Sequence, residues 1–382
     1  MFNKLFSRKN ASKSNGAAAK LSTELSEQQL EQQSVVIDTL TNYRSENFSR
    51  GVIADCLSKE IAFINDLITV KLLLPFPCAG ELDAIGKSLS TSLAINVDII
   101  VELAITPVRK HELKNIGNII AIASGKGGVG KSTTAINLAY ALIAEGAKVG
   151  ILDADIYGPS IPTLLGVKNT KPTSADGKLL TPILSNGLHA MSIGFLVPED
   201  DATVWRGPMA SSAFNQLLNE TAWPELDYLI VDMPPGTGDI QLTLAQKVPV
   251  AAAIIVTTPQ DLALADAVKG IAMFEKVNVP VLGVIENMSY HQCDNCGHHS
   301  PLFGQGGGEQ IAKKYNTQLL GQLPLDITIR EDADNGQSCI VTNSTSDLTQ
   351  TYLRIARRTA AELYNKLDAR SPQTAEIAIK VL

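Results

Sequence analysis

The chain is expected to fold as an α/β protein, a doubly wound and mostly parallel sheet of the phosphate-loop class preceded by a small α+β domain. Three observations predict this. Residues Gly125 to Thr133 read Gly-Lys-Gly-Gly-Val-Gly-Lys-Ser-Thr, which satisfies the pattern of glycine, four residues, then Gly-Lys-Ser. After this loop, short apolar runs alternate with helical stretches to near the C-terminus. Ahead of it, residues 34–108 have a different texture, in which two helical stretches and two strand-like runs read as a small α+β domain.

In chain order, residues 1–33 are rich in Lys, Ser, Ala and Gln, with the first acid at Glu24, and are expected to be a disordered tail. A basic, acid-free start also fits an organellar transit segment, but a sustained amphipathic pattern is lacking. The small domain is assigned a helix near Val35 to Tyr43, a strand from Ile68 to Leu74, a helix near Ala79 to Ala94 and a strand near Asp98 to Ile105. Polar residues 109–115 are expected to be a linker. The second domain, 116–370, opens with Ile119-Ile120-Ala121-Ile122-Ala123, an apolar run suited to a buried parallel strand. Later strands are expected at Lys148 to Asp153, Tyr228 to Asp232, Ala252 to Thr257, Val281 to Asn287 and Leu319 to Leu323. The last helix, about Leu348 to Leu367, places Arg354, Arg357 and Arg358 on an expected solvated face, and residues 371–382 form a tail. No internal repeat is evident.

The chemistry of the loop accounts for its residue types. Successive backbone N–H groups converge on phosphate oxygens only in conformations that glycine permits, and Gly125, Gly127, Gly128 and Gly130 flank Lys126 and Val129. The following helix, with Ile136, Ala139, Tyr140 and Ile143 at i, i+3, i+4 and i+7, adds its positive N-terminal end. Lys131 reaches the β- and γ-phosphates and Ser132, with Thr133 beside it, places a hydroxyl on Mg²⁺. The stretch also satisfies Gly-x-Gly-x-x-Gly with Asp153 downstream, as a dinucleotide fold would. Against that reading stand Lys131-Ser132 and a later strand ending in Asp232, which a triphosphate site needs.

Three strand ends complete the expected nucleotide site. Asp153 and Asp155, in Asp-Ala-Asp-Ile-Tyr-Gly-Pro-Ser, lie where carboxylates hold the Mg²⁺ water shell or orient an attacking water; the plainer reading is that either caps a turn. Asp232 is followed by Met-Pro-Pro-Gly-Thr-Gly-Asp, whose Gly236 N–H is expected to approach a γ-phosphate and to relax when it leaves. Asn287 is placed to meet a purine edge, and with no Asn-Lys-x-Asp set the expected nucleotide is ATP rather than GTP.

At 382 residues, 45% hydrophobic and 19% charged, the chain can bury a sizeable core. A net charge of −7 provides no global field for nucleic acid or an acidic membrane. No apolar run reaches the roughly 18 residues that would span a bilayer. Five cysteines, an odd number without a secretory apolar region, point to a reducing compartment and a cytoplasmic location. Cys293-Asp-Asn-Cys296 places two thiolates within reach of one metal, near His291, His298 and His299. It is half a site, because tetrahedral zinc and iron–sulfur clusters usually take four protein ligands. Histidines could complete zinc, two subunits could share a metal or cluster, or the pair could be redox thiols; spacing alone does not choose.

Taken together and in order, Gly-Lys-Gly-Gly-Val-Gly-Lys-Ser-Thr, Asp-Ala-Asp-Ile-Tyr-Gly-Pro-Ser, Asp-Met-Pro-Pro-Gly-Thr-Gly-Asp and Glu-Asn-Met followed by Cys-x-x-Cys resemble the Mrp/ApbC family. These are iron–sulfur cluster carrier ATPases of the deviant phosphate-loop NTPase class, related to septum-site and partitioning ATPases. The resemblance covers Lys114 to the C-terminal helix. It implies a homodimer in which Lys126 crosses to the partner's nucleotide, Lys131, Ser132 and Thr133 hold phosphates and Mg²⁺, and Asp155 positions the water. It further implies that Cys293 and Cys296 of both subunits bridge a labile 4Fe-4S cluster, exchanged with scaffold proteins and delivered to apoproteins. Trp205-Arg206-Gly207-Pro208-Met209 also looks like a family segment. The N-terminal domain resembles, more loosely, one often fused ahead of such ATPases; Cys78 falls where that domain carries a cysteine, but the usual Asp-Pro-Glu stretch is absent and a buried structural thiol is expected. Cys56 and Cys339 have no partner by spacing. Two competing functions are a partitioning switch without a cluster, disfavoured by Cys293 and Cys296, and a zinc-stabilised ATPase.

Overall fold

Two compact units divide the chain, one ending at Ile105 and one beginning at Thr106. The computed structural model describes residues 25–64, 67–175, 177–197, 207–293 and 295–366. The C-terminal tail at 371–382, most of the N-terminal tail, and Trp205 and Arg206 therefore lie outside the described residues.

In the first unit, helix α1 (Glu27–Asn42) begins within the stretch expected to be disordered tail. Its start is a capping box: Ser26 Oγ accepts from the Gln29 N–H while the Gln29 side chain accepts from the Ser26 N–H. The Ser-x-x-Gln signal sits inside a glutamine-rich run, and composition concealed it. Helix α2 (Val52–Asp55) and strand β1 (Ser58–Ile64) follow, both absent from the expectation. Strand β2 (Leu67–Leu74) buries Ile68, Val70, Leu72 and Leu74, the alternation of a sheet covered on one face. Helix α3 (Leu82–Leu93) ends at Ala94 in the left-handed region, φ 56°, and leads to β3 (Val97–Leu103). The order is β1-β2-β3, with β1 antiparallel and β3 parallel to β2.

The second unit contains β4 (Ile116–Ala123), α4 (Lys131–Ala144), β5 (Val149–Asp153), α5 (Ile161–Leu164), β6 (Ile183–Ser185) and β7 (Leu188–Ser192). These are followed by α6 (Gly207–Asn219), β8 (Leu226–Asp232), α7 (Asp239–Lys247), β9 (Ala252–Thr257), α8 (Asp261–Lys276), β10 (Val281–Gln292) and β11 (His299–Ser300). The unit ends with α9 (Gly307–Lys314), β12 (Gln318–Pro324), α10 (Ile327–Asp334), α11 (Cys339–Thr342) and α12 (Asp347–Lys366). Strands β12, β10, β9, β4, β8, β5 and β7 pair in parallel in that order, and β6 closes one edge as a hairpin with β7. The chain leaves β4 toward β5 on one side and later places β9 on the other, so the sheet order reverses at β4. Open α/β sheets bind ligands beyond the carboxyl end of such a switch strand.

Thr106 and Val108, expected to end the small domain, and Arg109, expected to begin the linker, are bound to this second unit. Buried Asn118 on β4 accepts from the Val108 N–H at 2.8 Å and donates to the Thr106 carbonyl at 3.2 Å, while Arg109 donates to the Val250 carbonyl at 3.2 Å. The expectation of a solvated arginine face on α12 also needs correction. Arg357 is buried and pairs with buried Glu145 at 2.6 Å, because α12 packs along α4, whose C-terminal end carries that glutamate. With α11 and α12 outside it and the sheet beneath, α4 is buried over nearly its whole surface from Thr134 to Leu142, beyond the one face its periodicity indicated.

Candidate functional site: a phosphate loop and a cysteine turn

The segment between β4 and α4 lies at the switch point. Gly128 and Gly130 take φ of 82° and 83°, and added side chains at Gly127 and Gly128 would meet nothing within 4 Å, so this face of the loop is an open cradle. Gly125 and Gly130 serve a different purpose. A Cβ at Gly125 would fall 2.2 Å from the Asp266 backbone of α8, and one at Gly130 would fall 2.2 Å from Asn287 Nδ2. Two of the loop's glycines therefore permit packing, and two leave room for a ligand. Val129 is buried and anchors the loop, while Lys126, Ser132 and Thr133 are half-buried at its rim.

Lys131, the first residue of α4, is buried and its ammonium lies 2.5 Å from Asp232 Oδ1 and 3.2 Å from Ser132 Oγ. The second oxygen of Asp232 is buried with no hydrogen-bond partner among the described residues. An orphaned carboxylate oxygen beside a lysine, a hydroxyl and an open cradle of N–H groups fits a hydrated cation and phosphates. Ser132 and Asp232 are the residues that would hold Mg²⁺.

Asp153 is fully buried but turned to another use. Its Oδ1 accepts from the Asp155 N–H, and its Oδ2 accepts from the N–H groups of Ser160 and Ile161 and from Ser192 Oγ, at 3.0–3.2 Å. It organises the loop after β5, with the hydrogen bonds that the turn-capping reading expects. Burial, reinforced by the Asp232 carboxylate, pushes its pKa up to about 7 despite those donors and Lys131. Asp155, half-buried, lies near Lys131 and Asp232 and also accepts from the backbone N–H groups of Tyr157 and Gly158. Burial raises its pKa, the Lys131 ammonium opposes the rise and Asp232 adds to it.

Two expected contacts differ from the geometry. The Gly236 N–H, expected to approach phosphate, donates to the Ser124 carbonyl at 3.0 Å and ties the loop after β8 to the end of β4. Asn287, expected at a purine edge, donates from Nδ2 to the Val129 carbonyl at 2.8 Å and accepts at Oδ1 from the Met288 N–H. It braces the phosphate loop from behind.

Beyond Asn287, β10 continues out of the parallel sheet to Gln292 and forms a short hairpin with β11, the His299 ring stacked on Tyr290 at 4.3 Å. Cys293 and Cys296 occupy the hairpin turn. The Cys293 N–H donates to the His298 carbonyl at 3.0 Å, the Gly297 N–H to the Cys293 carbonyl at 2.8 Å, and Gly297 takes φ 71°. Cys293 is half-buried and Cys296 exposed, whereas Cys56, Cys78 and Cys339 are buried. Among the described residues no three His, Cys, Asp or Glu side chains are grouped to hold a metal, so the nearby histidines do not complete a site in the fold.

Sequence reasoning missed Glu286. It is fully buried, accepts from Ser289 and Gln322, and receives the Gly308 N–H at 2.6 Å, so it pins the start of α9 under the end of β10. Only its position beside Asn287 could have pointed to it, since a lone acid at a strand end usually reads as exposed.

Known proteins place this arrangement. The family model described as NUBPL iron-transfer P-loop NTPase matches residues 115–360. The iron-sulfur cluster carrier protein of Escherichia coli (strain K12) is 53% identical over 343 residues, covering 86% of this chain and 92% of that protein. The iron-sulfur cluster transfer protein NUBPL of Mus musculus is 47% identical over 257 residues, 67% of this chain and 80% of its own. A nucleotide-binding protein of Archaeoglobus fulgidus, solved in complex with ADP, superposes with a TM-score of 0.55 at 40% identity over 63% of this chain and 93% of that one. The chain belongs to the NUBPL iron-transfer P-loop NTPase family.

Proposed function

We propose that this protein is an ATP-hydrolysing carrier that holds a labile iron–sulfur cluster on Cys293 and Cys296 and passes it to apoproteins. The observation that carries this reading is the placement of an incomplete thiol pair on a hairpin that continues directly from the strand bracing the phosphate loop. Two thiolates from one chain leave a cluster half-liganded, and a second copy supplies the other two. A [4Fe-4S] cargo bridging two chains through accessible thiolates is released by a small change in subunit geometry.

At the nucleotide, the loop N–H groups and the α4 N-terminus receive the β- and γ-phosphates. Lys131 turns from Asp232 to the phosphates; the freed Asp232 carboxylate, with Ser132, would hold Mg²⁺, which would supply neutralisation of the charge on the transferred phosphoryl. Asp155 orients the attacking water. Lys126, which forms no ion pair among the described residues, reaches the nucleotide of the partner subunit. A γ-phosphate that captures the Gly236 N–H must break its bond to Ser124, which makes the loop after β8 a sensor of hydrolysis. Among the described residues no helix is long and apolar enough to cross a membrane; cysteines that must stay reduced to hold a cluster favour a cytoplasmic location for the carrier.

The test is anaerobic reconstitution with iron and sulfide, followed by absorption spectroscopy and iron counting. The native protein is expected to form a brown dimer holding about four irons, as one [4Fe-4S] cluster requires. The Cys293→Ala/Cys296→Ala variant should remain colourless. A colourless native protein that holds zinc instead would overturn the carrier reading.

A further inference from the structure

A hydrogen bond from Asn287 to the phosphate loop, and the seven residues of backbone from Asn287 to Cys293, connect the loop to the cysteine turn. We infer that Asn287 is a positioning residue that transmits the state of the phosphate loop to the geometry of Cys293 and Cys296. The inference rests on the carrier reading and adds how nucleotide and cargo communicate.

Asn287 touches the loop in two ways. Its Nδ2 donates to the Val129 carbonyl, and the same nitrogen occupies the space a side chain at Gly130 would take, 2.2 Å from the ideal Cβ. Gly130 is the residue immediately before Lys131, so a shift of the loop around phosphate is felt at this amide. Asn287 Oδ1 holds the Met288 N–H at 3.0 Å, and Met288 takes φ 56°, a left-handed conformation uncommon outside glycine. The pairing of β10 with β12 shifts register between Glu286 and Tyr290, around this bend.

On either side the strand is fixed. Glu286, fully buried, is held by Ser289, Gln322 and the Gly308 N–H, which forms a pivot behind the bend. In front of it the Tyr290 carbonyl accepts from the Leu325 N–H at 2.7 Å, and the Tyr290 ring carries His299 across the hairpin. From Glu286 to Cys293 the backbone contains no glycine or proline. Movement at Val129 and Gly130 therefore has a short route, through the hydrogen bond to Asn287 and then the backbone of the Met288 bend, to the hairpin turn six residues beyond Asn287. Packed elements with discrete alternative arrangements carry such coupling.

The buried state of Cys56, Cys78 and Cys339 makes the two turn thiols the accessible reporters. The experiment measures the rate of iodoacetamide alkylation of Cys293 and Cys296 in the reduced, cluster-free full-length protein, with and without saturating MgADP, by peptide mass spectrometry. ADP binding to each protein is titrated separately. Native protein is expected to change its alkylation rate by at least about fivefold on binding, the size of an ordinary coupling between two sites. Asn287→Ala, at saturation, should show a ratio near one.

Met288→Gly is the second variant. It leaves Asn287 in place and suits the positive φ, but inserts a free joint into the route, and should reduce the ratio as well. A native ratio of one, or a full native ratio in either variant at saturation, overturns the inference. If Asn287→Ala does not bind ADP, the Met288→Gly result decides. Failure of the native protein to bind ADP at all would instead remove the carrier reading itself.

Discussion

The role proposed for Lys131 joins folding and ligand binding through the same charge. Its ammonium is buried against the fully buried Asp232, so Lys131→Ala leaves a carboxylate unpaired in the interior. Breaking one side of such a pair costs about 3–5 kcal/mol, and denaturant unfolding of that variant is expected to show a loss of this order together with loss of ADP binding. Lys126 is the control: half-buried and without an ion pair, it should yield an alanine variant within about 0.5 kcal/mol of native stability, with ADP affinity kept and ATP turnover at least tenfold lower, as for other trans-acting cations. Equal loss of binding in both variants would sink the division of labour. Asp153 adds a pH dependence. Its pKa rises from 3.8 to about 7 in the folded chain, so between these values the folded state binds the extra proton. Its contribution to stability is full below about pH 4 and is lost as pH rises through 7, by at most about 4 kcal/mol. Asp153→Asn should flatten that slope in denaturation midpoints measured from pH 4 to 8, while lowering overall stability because the amide keeps its oxygen toward Ser160, Ile161 and Ser192 only by turning its nitrogen on the Asp155 N–H, a donor facing a donor.

At the scale of elements, β4, the phosphate loop and α4 were readable from sequence because each obeys a local rule: an apolar run, a glycine pattern, a helical period. What was not readable is which glycine serves which purpose. Gly127 and Gly128 face open space, whereas Gly130 faces Asn287, a residue far along the chain, and no local pattern carries that information. The same holds for Asn287 and Gly236. Both were identified as site residues from strand-end position, yet their hydrogen bonds go to Val129 and Ser124, and only the sheet order β10-β9-β4-β8 brings those partners together. Strand β1 escaped because its apolar residues, Ile61 and Phe63, are only half-buried at a sheet edge. The glycine distinction is testable. Gly130→Ala combines a φ of 83° with a Cβ on top of Asn287 and should reduce ADP affinity by 100-fold or more, as about 3 kcal/mol of strain and displacement implies. Gly127→Ala, meeting no protein atom, should keep native stability while still obstructing phosphate. Isothermal titration and thermal melts separate the two effects.

For the whole molecule, the question is where the nucleotide-binding unit begins. Sequence reasoning placed the start of the second domain at residue 116, and the family match begins at 115, because recognisable pattern starts with β4. Physical continuity starts earlier. Asn118, 1% exposed, satisfies its side chain entirely on the Thr106 carbonyl and the Val108 N–H, and Arg109 caps the Val250 carbonyl. A fragment beginning at Thr106 keeps these bonds, and the compact-unit boundary falls at the same place. One beginning at Ile116 removes both partners of a buried amide, at a cost of about 1–3 kcal/mol, or roughly 3–10 °C in melting temperature for a unit of this size. The Thr106 fragment is therefore expected to fold, to bind ADP with the affinity of the full chain and to melt above the Ile116 fragment. Scanning calorimetry of the two fragments with and without MgADP decides the matter. Equal melting temperatures would mean that the segment from Thr106 to Asn115, which includes the expected linker at 109–115, adds no stability, and that water satisfies Asn118 as well as the chain does.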